Sequence, residues 1–243
     1  MIDLHCHFLS GIDDGPTSME ESLVLARLAV ADGITHAVVT PHIHPGRYEN
    51  DKASIESVFR LFKEQLSIEG IALHVEMGSE ARISMELLSL MADNKIPFLG
   101  EIGGYKILLL EFPHGHILPG SDKLVDYLLK QKIRPLIAHP ERNKDVIRQL
   151  SKIEPFIYQG CLLQLTAGSI TGQFGENAQQ RSHEILKEGW GHVIATDAHN
   201  SKNRPPCLKA GYLAAADIVG ADAAFKLVDT NPRAIISSNF IEH

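Results

Sequence analysis

Cysteine is scarce in this chain: Cys6, Cys161 and Cys207 are the three in 243 residues, an odd and widely spaced set that argues against a disulfide framework and for a reducing compartment. Such thiols pack as small hydrophobes. They also fail as phosphatase nucleophiles of the cysteine type, which need an arginine six positions downstream, where Ile12, Ala167 and Leu213 stand instead. No apolar run approaches the roughly 20 residues of a membrane helix. The first residues also carry no cationic segment leading into an apolar one, so a cytoplasmic protein without membrane insertion is expected. Dense basic clusters are missing too. With 23 Lys and Arg against 30 Asp and Glu the formal net charge is −7, which counts against a nucleic-acid partner. Low-complexity segments, linkers and shifts of composition are absent, and one domain over residues 1–243 is expected.

What the chain does have is a 44% hydrophobic content, enough for a sizeable core, and a repeating order of strand and helix. A strand over Ile2 to His7 would put His5 and His7 on one face, because side chains alternate along a strand. Thr17 or Ser18 is placed to cap a helix that runs to Gly33. Further strands are expected at His36 to Thr40, Ile71 to Met77, Ile107 to Leu110, Pro135 to Ala138, Cys161 to Leu165 and Val193 to Thr196. Helical spacing separates them, at Ser54 to Leu66, Met85 to Ala92, Asp122 to Lys130, Glu176 to Lys187 and Leu208 to Val219, with further helices near Ala221 to Leu227 and from Thr230. About seven such units predict a parallel sheet, closed as an α/β barrel or open and doubly wound.

Nearly every strand ends in a polar residue able to ligate a metal. In chain order these are His5, His7, Asp14, His42, Glu80, Glu111, His139, Asp197 and His199. Each alone has an ordinary explanation as a buried histidine, a cap or a surface acid. Together they would converge at the carboxyl ends of the strands, where such folds build their sites. A mixed imidazole and carboxylate set suits Zn, Mn or Fe rather than a structural cysteine knot. It is too large for one ion, and two or three ions with a bridging carboxylate such as Glu80 would use it.

His5-Cys6-His7, Thr40-Pro41-His42, Glu80, Glu111, His139-Pro140-Glu141-Arg142 and Asp197-Ala198-His199 resemble the motifs of the PHP (polymerase and histidinol phosphatase) superfamily over nearly the whole chain. Gly11-Ile12-Asp13-Asp14-Gly15-Pro16 and His139-Pro140-Glu141-Arg142 are similar to its capsular-polysaccharide tyrosine phosphatase branch, the CpsB/YwqE type. The resemblance implies a distorted (β/α)7 barrel of the PHP type and a centre filled by manganese first, with Fe, Zn, Co or Mg as alternatives. It further implies a metal-dependent protein-tyrosine phosphatase, a phosphoric monoester hydrolase acting on a phosphotyrosine protein, namely a bacterial tyrosine kinase that controls capsule and exopolysaccharide synthesis. Carried across, one ion would take His5, His7, Glu80 and Asp197. A second would share Glu80 with Glu111 and His139, and a third would take Asp14, rather than Asp13, with His42 and His199. Cys6 stands where the family often has Ser, and Ser10 where it often has Pro.

Gripping the phosphoryl oxygens calls for the fixed fork of an arginine, and Arg142 and Arg204 follow the ligands His139 and His199 closely enough to overhang the cluster. A water activated by the metals would then attack phosphorus, without a phosphoenzyme. His44 is the candidate general acid for the leaving phenolate, and Tyr48 and Phe174 are candidates to line its groove. The competing readings are a small-molecule phosphomonoesterase such as a histidinol-phosphate phosphatase, a PHP-type nuclease, and a metal-stabilised module without turnover.

Overall fold

The computed structural model describes residues 1–237. Its strands are β1 (Ile2–Cys6), β2 (His36–Val39), β3 (His42–Ile43), β4 (His74–Met77), β5 (Glu80–Arg82), β6 (Gly100–Ile102), β7 (Tyr105–Glu111), β8 (Ile133–Ala138), β9 (Leu162–Thr166) and β10 (Gly191–Ala195). Hydrogen bonding orders them β1-β2-β4 in one sheet and β10-β9-β8-β7-β5-β3 in the other, all parallel, with β6 alone pairing antiparallel to β7.

The two sheets are parts of one barrel. β2 runs on into β3 across Thr40-Pro41, and β4 into β5 across Gly78-Ser79, so each pair is one stave that changes sheet at its break. Gly78 is needed there: a Cβ would lie 2.8 Å from both Leu99 and Val38. Asp197 N–H donates to His5 O at 2.7 Å and His7 N–H to Ala198 O at 2.9 Å, which closes β10 onto β1. Seven staves result, which settles the choice between closed barrel and open sheet in favour of the distorted (β/α)7 arrangement that the family resemblance implies.

A β-bulge between Asp3 and Cys6 decides what β1 shows the interior. Ile2 and Leu4 belong to the apolar cluster inside the barrel, with Val38, Ile107, Leu109, Leu136, Val193 and Ala195. The extra residue then lets His5 and His7 face inward above them, while Cys6 joins the outer core. The lower end is plugged by Ile235 and Ile236 of the helix Asn231–Ile236, packed so closely that a Cβ on Gly100 would fall 2.1 Å from Ile235 O. The interior is therefore apolar below and polar above.

The larger apolar cluster lies between staves and helices, among them Met19–Asp32, Lys52–Ile68, Ser121–Lys130, Glu176–Lys187 and Leu208–Val219. Ser18 caps the first of these by accepting from Glu21 N–H, and Gly33, at φ 94°, ends it. Asp51 and Ser54 form a capping box at the second, which begins at Lys52, two residues before the expected start. Three differences from the sequence reading have local causes. Ile71 and Leu73 are buried in a loop, and the strand begins only at His74. Short helices at Lys144–Arg148 and Glu154–Gln159 are too brief to show a period. The last helices form a continuous run through a π-helical turn at Lys226–Thr230 instead of separating near Leu227. The C-terminal end of the expected domain, residues 238–243, lies outside the described residues.

Candidate metal centre and reaction cleft

Each of the nine candidate ligands stands at the upper end of a stave. His5 ends the inward face of β1 and His7 follows it, and the loop beyond carries Asp13 and Asp14. His42 opens β3 and Glu80 opens β5, both just past the stave breaks. Glu111 closes β7, His139 follows β8, and Asp197 and His199 follow β10. Both His139 and Asp197 occupy the left-handed region, at φ 36° and 52°, a strained conformation that turns these side chains over the barrel mouth.

The tightest group is His5, His7, Glu80 and Asp197, all buried. The two Nε2 atoms are 3.2 Å apart. Glu80 Oε2 lies 3.3 and 3.4 Å from them, and Asp197 Oδ1 3.2 and 3.5 Å. Tetrahedral ligands held at about 2.0–2.1 Å from an ion stand roughly 3.3 Å from each other, so these four atoms suit a single cation. A second group joins His7, Asp14, His42 and His199, and a third His42, Glu80 and Glu111. In that third group His42 stands where the resemblance put His139. His139 approaches through Glu80, its Nε2 lying 2.8 Å from Oε1.

Asp13 and Asp14 divide their work. Asp14 Oδ1 faces His42 Nε2 at 3.3 Å and His199 Nε2 at 3.5 Å, whereas Asp13 Oδ2 bonds His7 Nδ1 at 2.7 Å and so holds that ring. Gln164 Oε1 does the same for His5 Nδ1, at 2.9 Å.

Several buried polar atoms make no hydrogen bond among the described residues: His42 Nδ1 and Glu80 Oε2, which face each other as an ion pair at 3.0 Å, Glu111 Oε2 and His199 Nε2. Four such atoms at one mouth are what a cation site leaves when only the protein is considered. The mouth also concentrates interacting charges. Burial alone would keep His5 neutral, but the Glu80 and Asp197 carboxylates overcome it and push its pKa up to about 10. His42, similarly buried, is raised to about 11 by Glu80 and Asp14. Burial opposes charge on Glu80 and Asp197 as well, yet surrounding cationic groups hold both well below the ordinary range, His5 and His42 acting on Glu80 and Arg142 and His5 on Asp197. His139 differs: burial and the Arg142 charge lower it to about 3, leaving a neutral ring.

Above the ligands opens a cleft of about 250 Å³. Arg142, from the 3-10 turn Pro140–Arg142, and Arg204, from the loop after β10, reach it and both donate to Asp197 Oδ2, the oxygen turned away from His5 and His7. Phe174 lies under both guanidinium groups, its ring centre 4.7 Å from Arg142 Cζ and 5.8 Å from Arg204 Cζ. His44 lines the cleft. Tyr48 stacks on His42 at 5.4 Å.

Four residues of the site escape a reading of ligand types alone. Arg82, 2.7 Å from Glu111 Oε1, follows Glu80 by two on the same strand, and that period was its signal. Gln164 precedes Thr166 by two on β9, but an amide among apolar residues carries no metal signature. Asp3 accepts from His5 N–H and from the N–H and hydroxyl of Thr196, a buried tie across the closure of the barrel. Arg47 stacks on Tyr48 at the cleft wall.

An α/β barrel with a candidate multi-ion centre at its mouth is the class that fold and site define. The chain belongs to the capsular polysaccharide synthesis family CpsB/CapC, whose family model matches residues 1–237. It is 35% identical over 204 residues to the tyrosine-protein phosphatase YwqE of Bacillus subtilis, covering 84% of this chain and 79% of that protein. With the tyrosine-protein phosphatase CpsB of Streptococcus agalactiae it shares 28% over 246 residues, covering 99% and 100%. A solved structure from work on YwqE of Bacillus subtilis and CpsB of Streptococcus pneumoniae, described as metal-dependent tyrosine phosphatases, superposes with a TM-score of 0.89 at 31% identity, covering 97% of this chain and 94% of the other.

Proposed function

We propose that this chain is a metal-dependent protein-tyrosine phosphatase that hydrolyses phosphotyrosine on a protein, a bacterial tyrosine kinase governing capsule and exopolysaccharide synthesis being the substrate that fits its family. Residues 1–243 would form one catalytic domain working in the cytoplasm, a compartment that suits three free cysteines. The observation that carries the reading is the division of Asp197: Oδ1 faces the buried ligand group and Oδ2 accepts from both arginines of the cleft. A phosphoryl group between them would meet cations on one side and guanidinium forks on the other.

The orphaned atoms and the spacing of the ligands fit bound cations, with manganese as our first choice and two or three ions per chain. His5, His7, Glu80 and Asp197 would hold one, His7, Asp14, His42 and His199 another, and His42, Glu80 and Glu111 a third, with His139 bracing Glu80. Such ions lower the pKa of water and offset charge on phosphoryl oxygens. Asp13 and Gln164 fix the rings of His7 and His5 so that Nε2 of each points inward. Arg142 and Arg204 would grip the non-bridging oxygens as the phosphoryl group inverts, and Phe174 keeps their planes in register. His44, whose pKa is lowered by burial and the nearby Arg82 charge, would pass a proton to the departing phenolate. A cleft of about 250 Å³ takes one phosphorylated side chain, which favours this substrate over a nucleic acid strand.

The test pairs elemental analysis of purified protein with hydrolysis of a phosphotyrosyl peptide and of histidinol phosphate, before and after chelation and manganese addition. Metal-dependent turnover of the peptide is expected. Turnover of histidinol phosphate alone would replace this reading with its small-molecule rival.

A further inference from the structure

A second hollow, of about 420 Å³, adjoins the reaction cleft and shares two of its walls, His114 and Arg142. Its lining is largely apolar, with Ile147 and Phe174 among it, and carries Lys144 and Arg148 beyond Arg142 and Glu176 as its carboxylate. Arg142 pairs with Asp197. Arg148 touches Asp145 at 3.3 Å while remaining largely exposed, and Lys144 has no ion pair among the described residues. In a chain with a formal charge of −7, Lys144 is thus the cation of this hollow with no ion pair among the described residues. The potential is felt nearby, since burial and the Arg142 and Lys144 charges lower the pKa of His114.

The walls are also fixed. Lys144 N–H donates to His114 O at 2.9 Å, and Asn143 Nδ2 to Pro113 O at 2.7 Å, so the short helix Lys144–Arg148 is pinned to the loop that carries His114. Asn143 Oδ1 caps that helix through Asp145 N–H and Val146 N–H. A substrate whose phosphorylated side chain fills the cleft must lead its main chain across the mouth, and the hollow, sharing His114 and Arg142 with the cleft, is next to that path.

We propose that this hollow is a specificity subsite that takes the carboxylate of an Asp or Glu flanking the reacting phosphotyrosine, with Lys144 and Arg148 as its recognition residues. The assignment rests on the phosphatase reading above, and its experiment keeps the two apart. Three probes are offered to the manganese-loaded full chain: free phosphotyrosine, a phosphotyrosyl peptide flanked on both sides by Asp and Glu, and the same peptide with Asn and Gln.

The acidic peptide is expected to have a kcat/KM about fivefold above the neutral one at low salt, carried by KM and narrowing as salt is added, the size of partly exposed ion pairs. In the double variant Lys144→Glu/Arg148→Glu the preference should vanish or invert. Turnover of free phosphotyrosine should not change, because neither side chain lines the cleft. Equal kcat/KM for the two peptides in the unmodified protein, or a preference that survives the double substitution, would overturn the subsite while leaving the phosphatase reading intact. Failure to hydrolyse any of the three probes would remove both.

Discussion

The floor and the rim of this site are built on opposite terms. On the floor, His5, His7, Glu80 and Asp197 are at most 1% exposed and sit on or beside staves of the barrel. On the rim, Arg142 is 13% and Arg204 27% exposed, and both side chains come from segments beyond the strands. Charges excluded from water must be balanced by something fixed, because desolvation otherwise drives them neutral. Charges at the rim keep part of their hydration and are free to exchange one partner for another. The contrast assigns cation holding to the floor and substrate handling to the rim. Asp197 belongs to both.

Removing that shared residue should therefore have the largest effect. Asp197→Ala takes a ligand from the floor and releases Arg142 and Arg204 together. A loss of turnover on the order of 10³-fold or more is expected, with reduced metal content in elemental analysis. A variant that keeps its full metal complement while losing activity would confine Asp197 to the rim. Chelation tests the floor by itself. An ion present at a thousand times its Kd stabilises by about 4 kcal/mol, so stripping it should lower Tm by roughly 10 °C, restored by manganese and read by calorimetry.

Arg142→Ala comes next and separates the two regions. It should cost about 10²-fold to 10³-fold in kcat, the range for losing one donor to a developing charge, with the metal content unchanged. Arg142→Lys should rescue little, because a point charge cannot reproduce the fork. Equal metal loss in Arg142→Ala and Asp197→Ala would erase the distinction between floor and rim.

The floor was more legible in the sequence than the rim, for a physical reason. Histidines and acids at strand ends are marked both by residue type and by position, so the nine candidates could be named before any contact was known. What the sequence hid was parity and continuity. The bulge in β1 and the left-handed backbone at His139 each change which side a residue faces. The stave breaks before His42 and Glu80 move these residues onto short strands of their own, so His42 stands beside Glu111 where a reading by family pattern put His139. Asp3 and Gln164 act through hydrogen bonds to backbone and ring atoms, and nothing in local patterning marks such partners. On the rim, Arg142 and Arg204 could be suspected from their spacing after a ligand, but Lys144 and Arg148 beyond them depend on a short helix that hydrophobic period does not reveal.

His44 sharpens the comparison from the rim side. If it hands a proton to the leaving group, His44→Gln should slow poor leaving groups most, by about 10²-fold for tyrosyl phosphate, near the lower end for general acids. Aryl phosphates whose phenols are acidic should be nearly unaffected. A uniform loss across a series of leaving groups would reduce His44 to part of the wall.

Phe174 gives the smallest effect and the finest test of how the rim is ordered. Its ring supports both guanidinium groups, and a cation–π contact contributes about 0.5–2 kcal/mol depending on hydration, so Phe174→Ala should lower kcat by roughly tenfold, with KM for phosphotyrosine moving less. Phe174→Tyr and Phe174→Trp, which keep a π face, should recover most of the loss, whereas Phe174→Leu, which keeps bulk without that face, should not. The ring is also held from below, since a Cβ on Gly168 would come within 2.9 Å of Phe174 Cε2 and 2.5 Å of Gln173 Oε1. Gly168→Ala should then mimic Phe174→Ala by displacing the ring, with the metal content untouched. Full recovery by leucine would mean that the aromatic acts as packing, and that Asp197 alone aligns the two arginines.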